Sequence, residues 1–495
     1  MGLRQRFKGE TDSEPRSKKS RKLLKPHRSV NLRRALFHLC LSRAVIIVLQ
    51  FVANLLIPDL PTDAFKFTDV ENSPDTLRTR SINIALNGYI FENTLAFYPL
   101  FPGILSKIGG VTSTFFPIHR STGIICSGVL FNNVVFVATG TILYDFMKRV
   151  YSSETLAFWA AFLFAWNPAS IFFSSLYTES LYAFFTFAGL WLLYGFVCHE
   201  LRIYSFLTSF CVLLLSCGLR SNGLANFGYI AFFLLFTMNR KEFLEFKTSS
   251  SHLFKFLKQI IFSGLLLLFL LGMIVCATTF AGSQVARYFC ETKIPHSLNA
   301  VEFARENGYA LRGNVDEIEW CGSDTDPKLA LFPPFYGHIQ KKYWNVEFLG
   351  YWKLRKLPCF FLAGPVVLIY VLVSAEGFSS RLRGSATLWS GIRNIVFSSD
   401  PFLPMFLHNT IMVLSGLTIF NVEILTRMLF SASPLLYVGL ARLISENLKY
   451  KFADRTELSW KMWRRSGRLM AFLYAYFAIY YVGGTALHSN WGPFT

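Results

Sequence analysis

Asp59, Asp63, Asp69, Glu71, Asp75 and Glu92 crowd into a stretch that also holds Lys66, Arg78 and Arg80, directly after a long apolar run. A positioned carboxylate there could take the proton from a hydroxyl as its oxygen attacks, and general-base catalysis asks little more of a side chain. Ordinary solvated loop acids would look the same, and spacing alone does not separate the two. Further on, Glu179 in Tyr177-Thr178-Glu179-Ser180, Arg220 in Leu219-Arg220-Ser221-Asn222-Gly223, and Arg427 stand at the ends of apolar runs. A charge at membrane depth is costly unless it is paired or lines a polar cavity. Arginine offers a planar fork that matches phosphate, so Arg220 or Arg427 could bind a phosphate-bearing lipid beside Glu179. Taken singly, each of the three also fits helix-end snorkelling or a structural ion pair.

No His/Cys/Asp cluster at metal spacing, no Gly-rich phosphate loop and no nucleophile elbow is present, so the sequence calls for no metal and no cofactor. Tyr343-Trp344-Asn345-Val346 and Tyr351-Trp352 offer aromatic faces that suit either sugar stacking or a membrane interface. Asn167-Pro168 is expected to break a helix.

The elements that must position these groups follow from composition. Of 495 residues, 53% are hydrophobic and 16% charged, against roughly a quarter charged in soluble domains. The apolar residues fall into runs of about 17 to 25, the length a helix needs to cross the hydrocarbon layer. The expected fold is therefore an all-α polytopic membrane protein, with spans near 35–57, 123–147, 155–173, 177–198, 203–218, 222–238, 259–281, 357–376, 402–421, 427–445 and 469–487. That makes about eleven, and the short runs 155–173 and 203–218 are the weakest members.

The net charge of +19 does not point to nucleic acid, because the Lys and Arg residues gather beside the apolar runs. Residues 1–34 hold twelve Lys or Arg against three acids, and are expected to form a disordered tail kept in the cytoplasm by the positive-inside rule. Alternation from there through the membrane domain, 35–495, puts Lys148-Arg149, Arg240-Lys241, Arg381-Leu382-Arg383 and Trp463-Arg464-Arg465 in the cytoplasm. Two long loops, 58–122 and 282–356, and the carboxy terminus fall on the other side. Within the first loop, Leu95–Ile108 is apolar but short and carries Pro99 and Pro102, which suits a re-entrant or interfacial segment. The second loop is long enough for a small lid, where an oxidising compartment would let Cys290 pair with Cys321. The other seven cysteines lie in or beside apolar runs.

The order of motifs resembles the PIG-V family, the GPI mannosyltransferase 2 enzymes. It runs through Ile57-Pro58-Asp59, Gly88-Tyr89, Phe97-Tyr98-Pro99-Leu100-Phe101-Pro102, Asn167-Pro168-Ala169, Tyr177-Thr178-Glu179-Ser180-Leu181 and Leu219-Arg220-Ser221-Asn222-Gly223-Leu224. It continues with Gln340, Tyr343-Trp344-Asn345-Val346, Phe348-Leu349, Leu425-Thr426-Arg427, Ser433-Pro434 and the terminal stretch from His488 to Thr495. The resemblance implies a GT-C type glycosyltransferase in the endoplasmic reticulum membrane. Such an enzyme moves mannose from dolichyl-phosphate-mannose, with inversion and without metal, onto the first mannose of a glucosaminyl-phosphatidylinositol lipid as an α-1,6 link. An accessory membrane subunit is a further expected partner. Substrate binding is expected at Glu179, Arg220, Asn222, Trp344, Asn345 and Arg427.

The family's Trp-Asp-x-x-His-Phe stretch is replaced here by Thr76-Leu77-Arg78-Thr79-Arg80-Ser81. The catalytic carboxylate is therefore expected among Asp63, Asp69 and Asp75, unless the chain lacks a short segment or is an inactive relative acting as a partner subunit. A lipid transporter is the reading from another class. It would favour mid-span charges and internal repeats, whereas the notable charges gather at helix ends and no clear repeat is visible.

Overall fold

The structure is a computed structural model that describes residues 30–58, 80–195, 202–240, 250–290, 295–322, 331–383, 385–449 and 467–490. Asp59, Asp63, Asp69, Glu71 and Asp75 lie outside the described residues. Among those described there is no strand, only an isolated antiparallel bridge between Phe91 and Leu311.

The chain opens with α1 (Val30–Leu56), which begins inside the stretch expected as a tail. Then come α2 (Arg80–Asn87), a 3-10 turn over Glu92–Ala96, α3 (Leu100–Phe115) and α4 (Arg120–Tyr151). The short apolar segment at Leu95–Ile108 becomes α3, which folds back along α4 as an antiparallel hairpin. Gly109 meets Ile124 and Gly128 meets Leu105, both within distances that only a missing side chain allows. Ser153 caps the next helix, α5 (Glu154–Ala165), by accepting from the Leu156 amide. α5 stops ahead of Asn167-Pro168, as the residue before proline is pushed out of the helical region. The chain resumes as α6 (Ser170–Ser174) and α7 (Glu179–Gly195).

Next in order are α8 (Arg202–Leu215), α9 (Phe227–Phe232) running into a π-helical turn over Phe233–Thr237, and α10 (Ser250–Cys290). Three short helices follow: α11 (Leu298–Asn307), α12 (Glu319–Gly322) and α13 (Pro334–Trp344). The last group is α14 (Leu357–Leu382), α15 (Leu388–Val396), α16 (Phe402–Thr418), α17 (Leu425–Ala432), α18 (Leu435–Lys449) and α19 (Arg468–Ser489).

Among the described residues, five helices are long and apolar enough to cross a membrane: α1, α4, α10, α14 and α19. A sixth crossing forms if the segments Val422–Ala432 and Leu435–Ser445, bent by 74° at Ser433-Pro434, count as one. The protein is thus a multi-pass membrane protein. The other expected spans appear as shorter or interrupted helices, including Glu154–Ala165, Ile203–Gly218 and Phe402–Thr418. Proline at 168 and the 3-10 turns around Arg220 explain two of the interruptions.

The core between α4, α5, α6 and α18 is aromatic. Phe136 stacks on Phe164 at 4.4 Å between centroids, and Phe173 and Tyr437 meet Phe164 edge-on at 5.6 and 5.3 Å. Inside it, Arg43 of α1 is only 4% exposed. Its guanidinium donates to the carbonyls of Ala165 and Ser170 at 3.3 and 3.2 Å and to the hydroxyls of Ser170, Ser174 and Ser42. The Ala165 carbonyl is freed where α5 breaks, so the cation satisfies an acceptor that a helix end otherwise leaves unpaired.

At one end of the bundle a cap is built from the 3-10 turn at Glu92, the last turn of α10, and α11 to α13. Cys290 and Cys321 form a disulfide with Cα atoms 5.6 Å apart, which closes the pairing left open by sequence. Glu92, 1% exposed, joins the two loops: Trp320 Nε1 donates to its Oε1, and Lys342 Nζ and the Tyr343 hydroxyl donate to its Oε2, each at 2.7 Å. Burial, then the Glu92 hydrogen bond and charge, push the Tyr343 phenol far above its ordinary pKa, so it stays a donor. A hydrogen bond to a buried charge is worth about 1.5–3 kcal/mol. Glu92→Gln removes the charge paired with Lys342 and turns one acceptor oxygen into a donor that faces at least one N–H or O–H, so limited proteolysis within 331–344 is expected to speed up about tenfold. An unchanged cleavage rate would remove Glu92 as the fastening.

At the opposite end Asp400 performs a similar role. It accepts from the Tyr151 hydroxyl at 3.0 Å and the Phe402 amide at 2.8 Å, and pairs with Arg381 and, at 3.7 Å, with Arg442. These contacts tie α4, α14, α16 and α18 together.

Candidate functional site

Below the cap, three charged side chains from distant parts of the chain meet. Glu179 opens α7, where the helix amino terminus favours an anion. It is 1% exposed. Arg220 Nη1 donates to Glu179 Oε1 at 2.7 Å, and Arg427 Nε lies 3.7 Å from the same oxygen. Glu179 Oε2 and Arg427 Nε are enclosed without a hydrogen-bond partner among the described residues. Two guanidinium groups around one carboxylate leave an excess of one positive charge, in a place where unpaired charge is expensive.

Each member is held by neighbours that the fold brings in. Arg220 precedes the 3-10 turn Ser221–Asn226. Asn226 pins that turn by donating to Thr186 and Ser216, both at 2.9 Å. Gly223 passes so close to Ser216 that a Cβ would stand 2.3 Å from its carbonyl oxygen, which accounts for glycine in the Arg-Ser-Asn-Gly run. Asn222 receives a bond from the Tyr182 hydroxyl on its backbone carbonyl at 3.3 Å, and its side-chain oxygen is enclosed with no partner among the described residues.

Arg427 lies in α17, with its guanidinium 5.2 Å over the Phe172 ring and 5.3 Å over Tyr177. Asn132 fixes the turn that carries those rings, donating to the carbonyls of Ser175 and Tyr177 at 2.5 and 3.0 Å. The cap reaches the cluster through α13. The Tyr336 hydroxyl donates to Ser221 Oγ at 3.0 Å, and its ring meets Tyr98 edge-on at 5.8 Å. Burial raises the Tyr336 phenol, keeping it protonated as that donor.

Of the residues singled out in sequence, Glu179, Arg220, Asn222 and Arg427 therefore belong to one site. Trp344 and Asn345 are not brought into it. Trp344 meets Phe97 at 6.3 Å within the cap, and exposed Asn345 takes the left-handed position, φ 50°, that closes α13. Asp63, Asp69 and Asp75 lie outside the described residues, so the structure places none of them. Sequence reasoning did not select Arg43, because one arginine in an apolar run gives no hint of partners more than 120 positions away, and it noticed Glu92 only as one loop acid among several.

Such a cluster can hold a singly charged anion between two arginine forks at the end of apolar helices, with an enclosed carboxylate to orient both forks. The family model described as mannosyltransferase (PIG-V) matches residues 77–495, beginning after Asp63, Asp69 and Asp75. GPI mannosyltransferase pigv-1 of Caenorhabditis elegans is 28% identical over 92% of this chain and 80% of its own. GPI mannosyltransferase 2 of Drosophila pseudoobscura pseudoobscura is also 28% identical, over 92% of this chain and 98% of its own. GPI alpha-1,6-mannosyltransferase 2 of Homo sapiens is 27% identical over 92% and 96%. The crystal structure of an Archaeoglobus fulgidus oligosaccharyltransferase with a tethered acceptor peptide overlays at a TM-score of 0.43 and 14% identity, covering 92% of this chain and 55% of that one, too loosely to carry a fold assignment. With the family match spanning most of its length, the chain belongs to the PIG-V mannosyltransferase family.

Proposed function

We propose that this mannosyltransferase adds the second mannose of the GPI anchor, moving it in an α-1,6 link from dolichyl-phosphate-mannose to the mannosyl-glucosaminyl-phosphatidylinositol lipid. One observation carries the reading at the site: Glu179, Arg220 and Arg427 sum to a single positive charge, and the phosphodiester of a lipid-linked sugar carries a single negative one. The names of the relatives supply the sugar and the acceptor.

In this mechanism the arginine forks hold the phosphate while the acceptor hydroxyl attacks the mannose C1 from the opposite face. The C1–O bond to phosphate breaks, the electron pair leaves on the phosphate, and the configuration inverts. The hydroxyl proton goes to a carboxylate, for which Asp63, Asp69 and Asp75 are the candidates. Neither metal nor cofactor takes part. The polypeptide is of GT-C type with eleven crossings, counting the shorter and broken helices, and sits in the endoplasmic reticulum with its amino terminus in the cytoplasm and the cap and carboxy terminus in the lumen.

Expression of the chain in cells lacking the second GPI mannose is expected to restore GPI-anchored proteins to the surface, read by flow cytometry. Failure of the well-expressed chain to do so would sink the assignment. If Asp63→Ala still restores them, the base is one of the other two aspartates.

A further inference from the structure

The terminal motif that begins at His488 has no part in the reaction as described so far. His488 occupies the last turn of α19, half-buried. Its imidazole packs edge-to-face with Phe172 and Tyr177 at 5.1 and 5.5 Å between centroids, with interplanar angles of 65° and 61°. Those are the same two rings over which Arg427 lays its guanidinium. One pair of aromatic rings therefore shelves both a permanent cation and an imidazole, and the cation is the one beside the buried Glu179 carboxylate.

A histidine that served only to fill space between helices could sit anywhere along α19. This one sits on the shared wall of the charged cluster. Among the described residues, Tyr177 from the turn between α6 and α7 and Arg427 from α17 belong to that wall, with Glu179 and Arg220 behind Arg427. Phosphate offers more acceptor positions than two arginine forks use, and an imidazole N–H is a suitable donor for the remainder.

Resting on the proposed function above, we propose that His488 is a further binding residue of this site, donating a hydrogen bond to the phosphate of the lipid donor. The lipid phosphate would then be gripped by three chain segments that meet only in the folded protein: the loop after α8, α17 and the end of α19.

The test uses the full chain purified in lipid nanodiscs, with dolichyl-phosphate-mannose as donor and dolichyl phosphate as competing ligand. His488→Phe keeps an aromatic ring on the shelf and removes the donor N–H; His488→Gln keeps a donor. The expected result is a donor KM and a dolichyl phosphate Ki about tenfold higher in His488→Phe, an acceptor KM within about twofold of the parent, and recovery to within about threefold in His488→Gln.

An unchanged donor KM in His488→Phe, an equal rise in both substrates' KM, or loss of folded protein in both variants would overturn the proposal and leave His488 as packing. If instead the parent binds dolichyl phosphate but transfers no mannose, the proposed function fails; the role of His488 is then judged by the Ki difference alone.

Discussion

Arg427→Lys is expected to raise the KM for the lipid-phosphate donor by about 10- to 100-fold, and Arg427→Ala to remove measurable mannose transfer. The estimate follows from a charge-assisted hydrogen bond worth about 1.5–3 kcal/mol at one decade per 1.4 kcal/mol. Lysine keeps the charge but loses the planar fork that Arg427 holds beside the Phe172 and Tyr177 rings. Glu179→Gln should be comparably damaging for another reason: it leaves two half-buried arginines facing a neutral amide, so both forks lose the negative charge that orients them. Steady-state kinetics in nanodiscs with each substrate varied in turn provides the check. A donor KM within twofold of the parent for Arg427→Lys would show that Arg427 does not touch the phosphate.

Arg43→Ala is expected to be the most destabilising single change in the membrane core, by about 3–5 kcal/mol, the range for removing one member of a buried charged network. The loss would come chiefly from the Ala165 carbonyl and the Ser170 and Ser174 hydroxyls, which would lose the guanidinium donor. Arg43→Lys should recover part of it, since one ammonium cannot reach five acceptors spread over α1, α5 and α6. Because α6 leads directly to Phe172 and Tyr177, the variant should lose activity in step with stability. The fraction of monodisperse protein after heating in mild detergent measures the effect; a survival curve superimposable on the parent's would refute it.

These two residues show what a sequence does and does not disclose. The long apolar runs are legible because a crossing helix must be apolar over its whole length: α4, α10, α14 and α19 each contain an expected span, and α1 covers all but its last residue, Ile57. Asn167-Pro168 is legible as a helix break because proline acts locally. Glu179, Arg220 and Arg427 could be selected singly, since charge beside an apolar run is conspicuous, but that they share one oxygen is a property of packing. The partners of Arg43 and Glu92 lie 122–131 and 228–251 positions away, and no local pattern reports separations of that size. The count of crossings was less legible for a related reason. Helices that lean on others can be short or broken, whereas α10, exposed along much of its length, must be continuous.

α10 has 41 residues, which at 1.5 Å each makes a rod of about 61 Å, twice the roughly 30 Å of bilayer hydrocarbon. Even a tilt of about 40° leaves a good part of it outside. Its projecting end carries Cys290, bonded to Cys321 in the cap, while Gln259 and Ser263 moor its lower half to Met238 and Asn239. The rod works as a ruler. The headroom between bilayer and cap is written in the number of residues in one helix, so the cap is held at a fixed height. Adding or removing a single turn would shift that height by about 5.4 Å, the length of a hexose, without altering any residue that touches a substrate.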